Sequence, residues 1–294
     1  MKYIPLLFAV ILLNVVAPSA SAQPEPLAKY EFRGAWIATV INLDWPNSPT
    51  SSTQAQQAQL ITMLDELKES GINAVLFQVR SEADAMYASE IEPWSYWLTG
   101  EQGVAPDPFY DPLAFAIEEA HKRGMELHAW FNPYRAVRGS GYPNAPSHVS
   151  VEHPEWILTL GGLQVLDPGL PDVRDHNARV IADVARRYDI DGVHFDDYFY
   201  PYPPNQITNE DDATFAAHNR GFTNRGAWRR DNVNLFVAQV YDSLQVIRPS
   251  ASFGISPFGI WKNGVPSGIT GLDAYNVIYG DAVAWLDAQI IDYV

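Results

Sequence analysis

The segment DGVHFDDYFYP, residues 191–201, sets two adjacent carboxylates, Asp196 and Asp197, at the end of a short β-rich run. Two carboxylates held side by side and partly shielded from water repel one another as anions, so one of them keeps its proton toward neutral pH. General acid/base chemistry needs such a pair, one group neutral and one ionised. Along the run His194 and Asp196 alternate with Val193 and Phe195. Asp196 therefore shares the polar face with His194, and Asp197 falls at the rim. Asp196 ranks first as the catalytic carboxylate and Asp197 second. The plainer roles for the two are a charge partner for an arginine and a loop cap.

Cleavage of a glycosidic bond asks for two carboxyl groups roughly 5 to 10 Å apart. Glu82, Asp84, Glu92 and Asp167 are the candidates for a partner, each also suited to capping a turn. Asp84, just past a second β-rich run, is preferred. Arg80, Asn132 and Arg135 could orient hydroxyl, acetamido or carboxylate groups of a substrate, and Arg80 could instead neutralise Asp196. Trp36, Trp94, Trp97, Trp130, Tyr134, Tyr198, Tyr200, Tyr202 and Trp261 offer flat faces for sugar rings, although some must belong to the core. The set expected to touch substrate is Arg80, Trp130, Asn132, Arg135, His194, Tyr198 and Trp261. Two rival readings stay open, a saccharide-binding barrel without catalysis and a metal-dependent deacetylase or other hydrolase using His128, His194 and Asp196. The sequence contains no HExxH or G-x-S-x-G motif.

These residues need elements to hold them. Residues 31–40, 72–80, 125–132, 190–197 and 252–258 read as strands, and 290–294 begins a sixth. Helical spacing of apolar residues marks 53–70, a segment opening at Asp111-Pro112 and ending before Gly124, then 175–188, 232–247 and 282–288. The stretches 81–110, 134–165 and 198–230, rich in Pro, Gly, Trp and Tyr, read as loops walling a cleft. Strands that alternate with helices predict a parallel sheet. Each face of HAWFN, GVHFD and LFQVR is distinct, one polar and one apolar, whereas an open doubly wound sheet buries both faces and reads as continuous Val, Ile and Leu. No glycine-rich phosphate loop follows a strand. A (β/α)8 TIM barrel follows, with polar groups gathered at the strand C-terminal ends where such barrels keep their sites. Eight strands are needed and about six are found, so the expectation is a barrel cut short at its C-terminus.

The chain has 294 residues, 47% hydrophobic and 13% aromatic, enough for a large core and unlike a disordered chain. Its net charge of −16 repels phosphate backbones, so nucleic acid is not the expected partner; a polysaccharide or oligosaccharide is. The absence of Cys removes disulfides and thiolate chemistry and suits an oxidising compartment. No cofactor is implied. Residues 1–22, with Lys2, an apolar run from Ile4 to Val16 and the small residues Ser19-Ala20-Ser21-Ala22, read as a cleavable signal peptide. Export to the periplasm or the medium is expected, with no integral membrane segment after cleavage and no cysteine for a lipid anchor.

FRGAWIATV at 32–40, FQVRSEADAMY at 77–87, EPWSYWLTG at 92–100, HAWFNPYRA at 128–136, LDPGLPDVRDH at 166–176, GVHFDDYFYP at 192–201 and FGISPFGIW at 253–261 together resemble the glycosyl-hydrolase-like family 10. The resemblance runs in order through residues 31–294. It implies a (β/α)8 barrel, secreted or periplasmic, that acts on glycosidic bonds, with peptidoglycan glycan strands stripped of their stem peptides as the substrate of a bacterial member. On this chain the family pattern falls on Asp84, Asn132, Arg135, Asp196 and Asp197. Members continue past the IDYV segment into a strand carrying an APQ-type sequence, which this chain lacks.

Overall fold

The computed structural model describes residues 31–139 and 141–294. The expected signal sequence over residues 1–22 lies outside the described residues. Strand β1 (Gly34–Ile37) leads into helix α1 (Thr53–Glu69), whose first turn is capped by Ser52 accepting from the Ala55 amide. β2 (Ala74–Arg80) is buried throughout. After the one-turn helix α2 (Tyr96–Thr99) comes α3 (Pro112–Lys122), where Asp111 caps the N-terminus and Pro112 occupies the first turn, a position that needs no backbone N–H.

β3 (Glu126–Phe131) is followed by an excursion, β4 (Arg135–Val137), α4 (Val149–Glu152), β5 (Ile157–Leu160) and β6 (Leu163–Leu166). The remaining elements are α5 (Pro171–Arg187), β7 (Gly192–Phe195), α6 (Asp212–His218), α7 (Arg225–Ile247), β8 (Ser252–Ile255) and α8 (Ala282–Asp287).

The main sheet runs β1-β2-β3-β7-β8, every pair parallel. Its strands are added in one direction in chain order, without the reversal that creates the crevice of a doubly wound sheet, which is the winding of a (β/α) barrel. The sixth expected strand is present as a parallel bridge between Tyr293 and Gly254, with the Ile255 amide donating to the Tyr293 carbonyl at 3.2 Å.

The alternation read from the sequence sorts the two faces. Phe77, Val79, Leu127, Ala129, Phe131, Val193, Phe195, Phe253 and Ile255 are buried in one apolar cluster with Leu60 and Leu64 of α1, Leu113 of α3, Val180 and Val184 of α5, and Phe236 and Val240 of α7. Phe195 stacks on Phe236 with 5.5 Å between ring centroids and meets Phe253 edge-on at 5.0 Å. Each such side chain contributes about 1.5–3 kcal/mol by leaving water.

The opposite face carries Trp36, Gln78, Arg80, His128, Trp130, His194 and Asp196. Two glycines make room there. A Cβ on Gly192 would stand 2.3 Å from the His128 ring, and one on Gly254 would stand 2.0 Å from the Tyr293 ring. The His128 and Tyr293 rings fill the space they leave, and the Tyr293 hydroxyl lies 2.8 Å from His128 Nδ1 and 3.1 Å from His194 Nδ1.

Three departures from the sequence expectations have local causes. α5 starts at Pro171, not at residue 175, because a proline suits the first turn of a helix. α7 starts at Arg225, where Asn224 accepts from the Ala227 amide, so residues 225–230 leave the expected loop and join the helix. The loop expected over 134–165 contains a three-stranded antiparallel sheet in the order β4-β6-β5, its strands of three or four residues too short to show periodicity.

Candidate active site

β7 delivers Asp196 to the C-terminal edge of the sheet, where it is buried. Its carboxylate accepts from Asn132 Nδ2 at 3.2 and 3.0 Å, from Trp130 Nε1 at 3.2 Å, and from the Tyr198 amide at 3.1 Å. Asn132 is oriented for this. Its Oδ1 accepts from the Arg135 amide at 2.8 Å, and its own amide is fixed to the Arg80 carbonyl at 2.9 Å, so the Nδ2 side must face Asp196.

Burial raises the Asp196 pKa above the ordinary carboxylate value, while the nearby Arg135 charge and these donors pull it back. Asp197 is half-buried and its pKa is pushed up to about 6, by burial first and by the Asp196 charge second. The pair therefore has the two characters general acid/base chemistry asks of it, a carboxylate cradled by donors beside one that holds its proton near neutrality.

Aromatic rings flank the pair. The Trp36 ring, 49% exposed, lies 5.0 Å from Trp130 and 5.7 Å from His194 and offers an open flat face. The Arg135 guanidinium lies over the Tyr198 ring at 4.6 Å, and Tyr198 meets Tyr202 edge-on at 5.0 Å. A cleft of about 320 Å³ opens here, lined by Arg135, Arg138, Leu163, Tyr198, Tyr202 and Asn205. The short antiparallel sheet supplies one wall of this cleft and the segment after β7 the other. Arg138 and Asn205 were not singled out from the sequence, and nothing in their neighbourhood distinguishes them there.

Several expected roles change. Arg80 was expected to touch substrate or to neutralise Asp196. It is instead 1% exposed, its Nη2 and Nε both donating to Glu92 at 2.6 and 2.8 Å, its Nη1 to the Asn132 and Pro133 carbonyls, and its Nη2 also to Asn177 Oδ1. The pairing holds the Glu92 pKa down at about 2, against the effect of its burial, so Glu92 is a permanently ionised structural group and not the second acid.

Asp84 is fully buried, its Oδ1 accepting from Ser81 Oγ at 3.3 Å and from the Glu82 amide at 3.2 Å while its Oδ2 has no partner. It staples the turn after β2, and no contact joins it to Asp196. Glu82 is held by Trp97 Nε1 at 2.7 Å, the Arg138 amide at 2.7 Å and the Tyr142 hydroxyl at 3.3 Å. Asp167 caps the turn after β6 through the Gly169 amide at 2.8 Å and receives the Thr214 hydroxyl.

His194 is buried behind the pair, its Nε2 3.3 Å from Ser256 Oγ, and its pKa is lowered to about 3 by burial and by His128. His194 is thus a neutral filler of the inner layer, not a substrate contact. The metal arrangement proposed for His128, His194 and Asp196 does not form, since both rings turn a nitrogen to the Tyr293 hydroxyl while Asp196 faces Asn132 and Trp130. Trp261 sits apart in a cluster with Tyr275 and Lys262, its Nε1 on Asp281 Oδ1 at 2.9 Å. Trp130, Asn132, Arg135, Tyr198, Asp196 and Asp197 are the expected site residues that the fold brings together.

The glycosyl hydrolase-like 10 family model matches residues 31–294. The chain is 43% identical over 272 residues to glycosyl hydrolase YngK of Bacillus subtilis, covering 90% of this chain and 53% of that protein. It is 39% identical over 305 residues to glycosyl hydrolase DigH of Escherichia coli, covering 96% of this chain and 69% of that protein. The chain thus spans about half the length of the first relative and about two thirds of the second. Among solved structures, alpha-L-fucosidase isoenzyme 2 from Paenibacillus thiaminolyticus shares the fold, with a TM-score of 0.50 at 12% identity over 79% of this chain and 33% of that one. An α/β parallel sheet wound as in a (β/α) barrel, a buried Asp196 beside a half-buried Asp197 at its C-terminal edge and this likeness over residues 31–294 agree, and the chain belongs to the glycosyl hydrolase-like 10 family.

Proposed function

We propose that this chain hydrolyses glycosidic bonds in cell-wall polysaccharide, with peptide-free peptidoglycan glycan strands as substrate and Asp196 and Asp197 as the working carboxylates. The observation that carries the reading is the division of labour within the pair. Asp196, ringed by the donors of Asn132, Trp130 and the Tyr198 amide, is stabilised as the anion facing the sugar carbon that develops positive charge. Asp197, with its pKa near 6, carries the proton for the departing oxygen and recovers it from water. Trp36 supplies the platform on which a sugar ring stacks. Export through the N-terminal signal belongs to the same reading, because the substrate lies outside the cytoplasm. Among the described residues no helix is long and apolar enough to cross a membrane.

The test compares the full chain with Asp196→Asn on peptide-free glycan strands and on intact peptidoglycan, following soluble products by mass. Shorter oligosaccharides from the wild type, with the variant slower by a factor of about 10³ or more, are expected. Equal products from both would reject Asp196 as a reacting group. No product from any glycan would reject the glycosidase reading.

A further inference from the structure

We infer that the cleft beside the carboxylate pair is a subsite for a carboxylate carried by the sugar polymer, held by Arg135 and Arg138. In a chain with 35 acidic and 19 basic residues, guanidinium groups are readily met by acids. Arg80, Arg123, Arg187, Arg220, Arg225, Arg229 and Arg248 all lie within 4.0 Å of a carboxylate oxygen. Arg135, Arg138, Arg174, Arg179, Arg186 and Arg230 have no such partner among the described residues; Arg174 and Arg230 spend donors on backbone carbonyls and Arg179 meets His176, whereas Arg135 and Arg138 line one cleft together. The Arg135 side chain donates one long bond, 3.4 Å, to the Ser81 carbonyl and rests on Tyr198. Arg138 is rooted by its backbone amide on Glu82 Oε1 at 2.7 Å while its side chain stays exposed. The protein thus places two cations along one cleft, Arg135 resting on Tyr198 and Arg138 anchored by its backbone, and leaves their donors open.

A carboxylate matches that arrangement better than a neutral hydroxyl does. A guanidinium presents paired N–H donors in a plane, which a carboxylate accepts two at a time, and the bonds are charge-assisted. The phenols of Tyr198 and Tyr202 and the amide of Asn205 line the same cleft and offer further polar partners, and Leu163 offers an apolar surface for the rest of the ring. The long-range field of a −16 chain repels an anion, so a local pair of unmatched cations is required if an acidic sugar is to dock.

The inference rests on the glycan reading above and sharpens it. A glycan ring whose acid side arm is joined to a peptide presents an amide there, and the same ring after peptide removal presents a free carboxylate. The cleft then distinguishes stripped strands from peptide-bearing ones.

The experiment measures binding apart from cleavage. The Asp196→Asn chain is titrated calorimetrically with an N-acetylglucosaminyl-N-acetylmuramic acid disaccharide and with the same disaccharide converted to its methylamide. Wild type is titrated in parallel with the N-acetylmuramic acid monosaccharide and its methylamide, which contain no glycosidic bond between sugars. The acid forms are expected to bind roughly tenfold or more tightly than the amides, a preference that shrinks as salt is raised. Arg138→Ala brings the ratio close to one, and Arg138→Lys retains part of it. Equal affinity for acid and amide, a ratio unchanged in Arg138→Ala, or no binding of either form overturns the subsite. A carboxylate preference without cleavage of any glycan by wild type keeps the subsite and removes the glycosidase reading; cleavage without the preference does the reverse.

Discussion

Asp197→Asn is expected to make the protein more stable above pH 6 while slowing the proposed glycan cleavage. The raised pKa of about 6, against an ordinary 3.8, means that the folded state holds the Asp197 proton more tightly than the unfolded chain does. From about pH 4 to pH 6 the unfolded chain therefore binds fewer protons, and stability falls as pH rises through that window and then levels off. A shift of this size corresponds to about 3 kcal/mol at full strength. Asp197 retains partial contact with water, so about half of that, roughly 1.5 kcal/mol, is the better figure. Asparagine is close in shape and carries no charge, which relieves both the desolvation and the repulsion from Asp196. For a domain of this size the gain translates to about 3–6 °C in Tm at pH 8. Thermal unfolding followed at pH 4 and at pH 8 checks the sign, since the advantage of the variant should be near zero at the lower pH. Glycan cleavage should fall by a factor of about 10² or more in the same variant. A variant that is less stable than wild type at pH 8, or whose advantage does not change between the two pH values, would show that Asp197 is not held protonated by its surroundings.

Two further outcomes follow from buried charge. Arg80→Met removes one member of a fully buried pair and leaves Glu92 without its main counter-charge, with only His176 Nε2 at 3.3 Å nearby. A loss of about 3–5 kcal/mol in denaturant unfolding is expected, and a loss below about 1 kcal/mol would place the Glu92 charge elsewhere. His194, with its pKa lowered to about 3, stays neutral in the fold, so its ring proton resonance should not titrate between pH 5 and 8. Because the unfolded chain takes up that proton near pH 6.5, the fold loses stability as pH drops below that value toward 3, opposite in direction to the Asp197 effect. A His194 resonance that titrates near 6.5 would contradict the burial assigned to it.

The elements that carry the site were legible because their patterns are local. Alternation in GVHFDD put His194 and Asp196 on one face, and the parallel sheet keeps them there. The aromatic run after Asp197 became Tyr198 and Tyr202 of the cleft wall. What escaped was the pairing of groups distant in the chain. Arg80 and Glu92 are twelve residues apart, and their attraction is visible only once the segment after β2 folds back over the strand. Tyr293 read as the end of a strand, yet its hydroxyl reaches two histidines that lie 165 and 99 residues away. Arg138 looked like any surface arginine until β4 and β6 paired and set it beside Arg135.

These long-range contacts also explain why the pair of acids differs in character although the residues are neighbours. Successive side chains at the end of a strand diverge, so Asp196 turns inward to the Asn132 amide, the Trp130 indole and the Tyr198 amide, whereas Asp197 remains at the rim. The inward group gains donors that exist only because the β3 segment has stopped at Asn132, whose side-chain oxygen is already engaged by Arg135. Replacing Asn132 by Asp would remove the Nδ2 donor and set a third carboxyl beside the other two. The same backbone would then hold mutually repelling acids beside Arg135, whereas an amide at this position donates to Asp196 and offsets part of the upward push that burial gives its pKa.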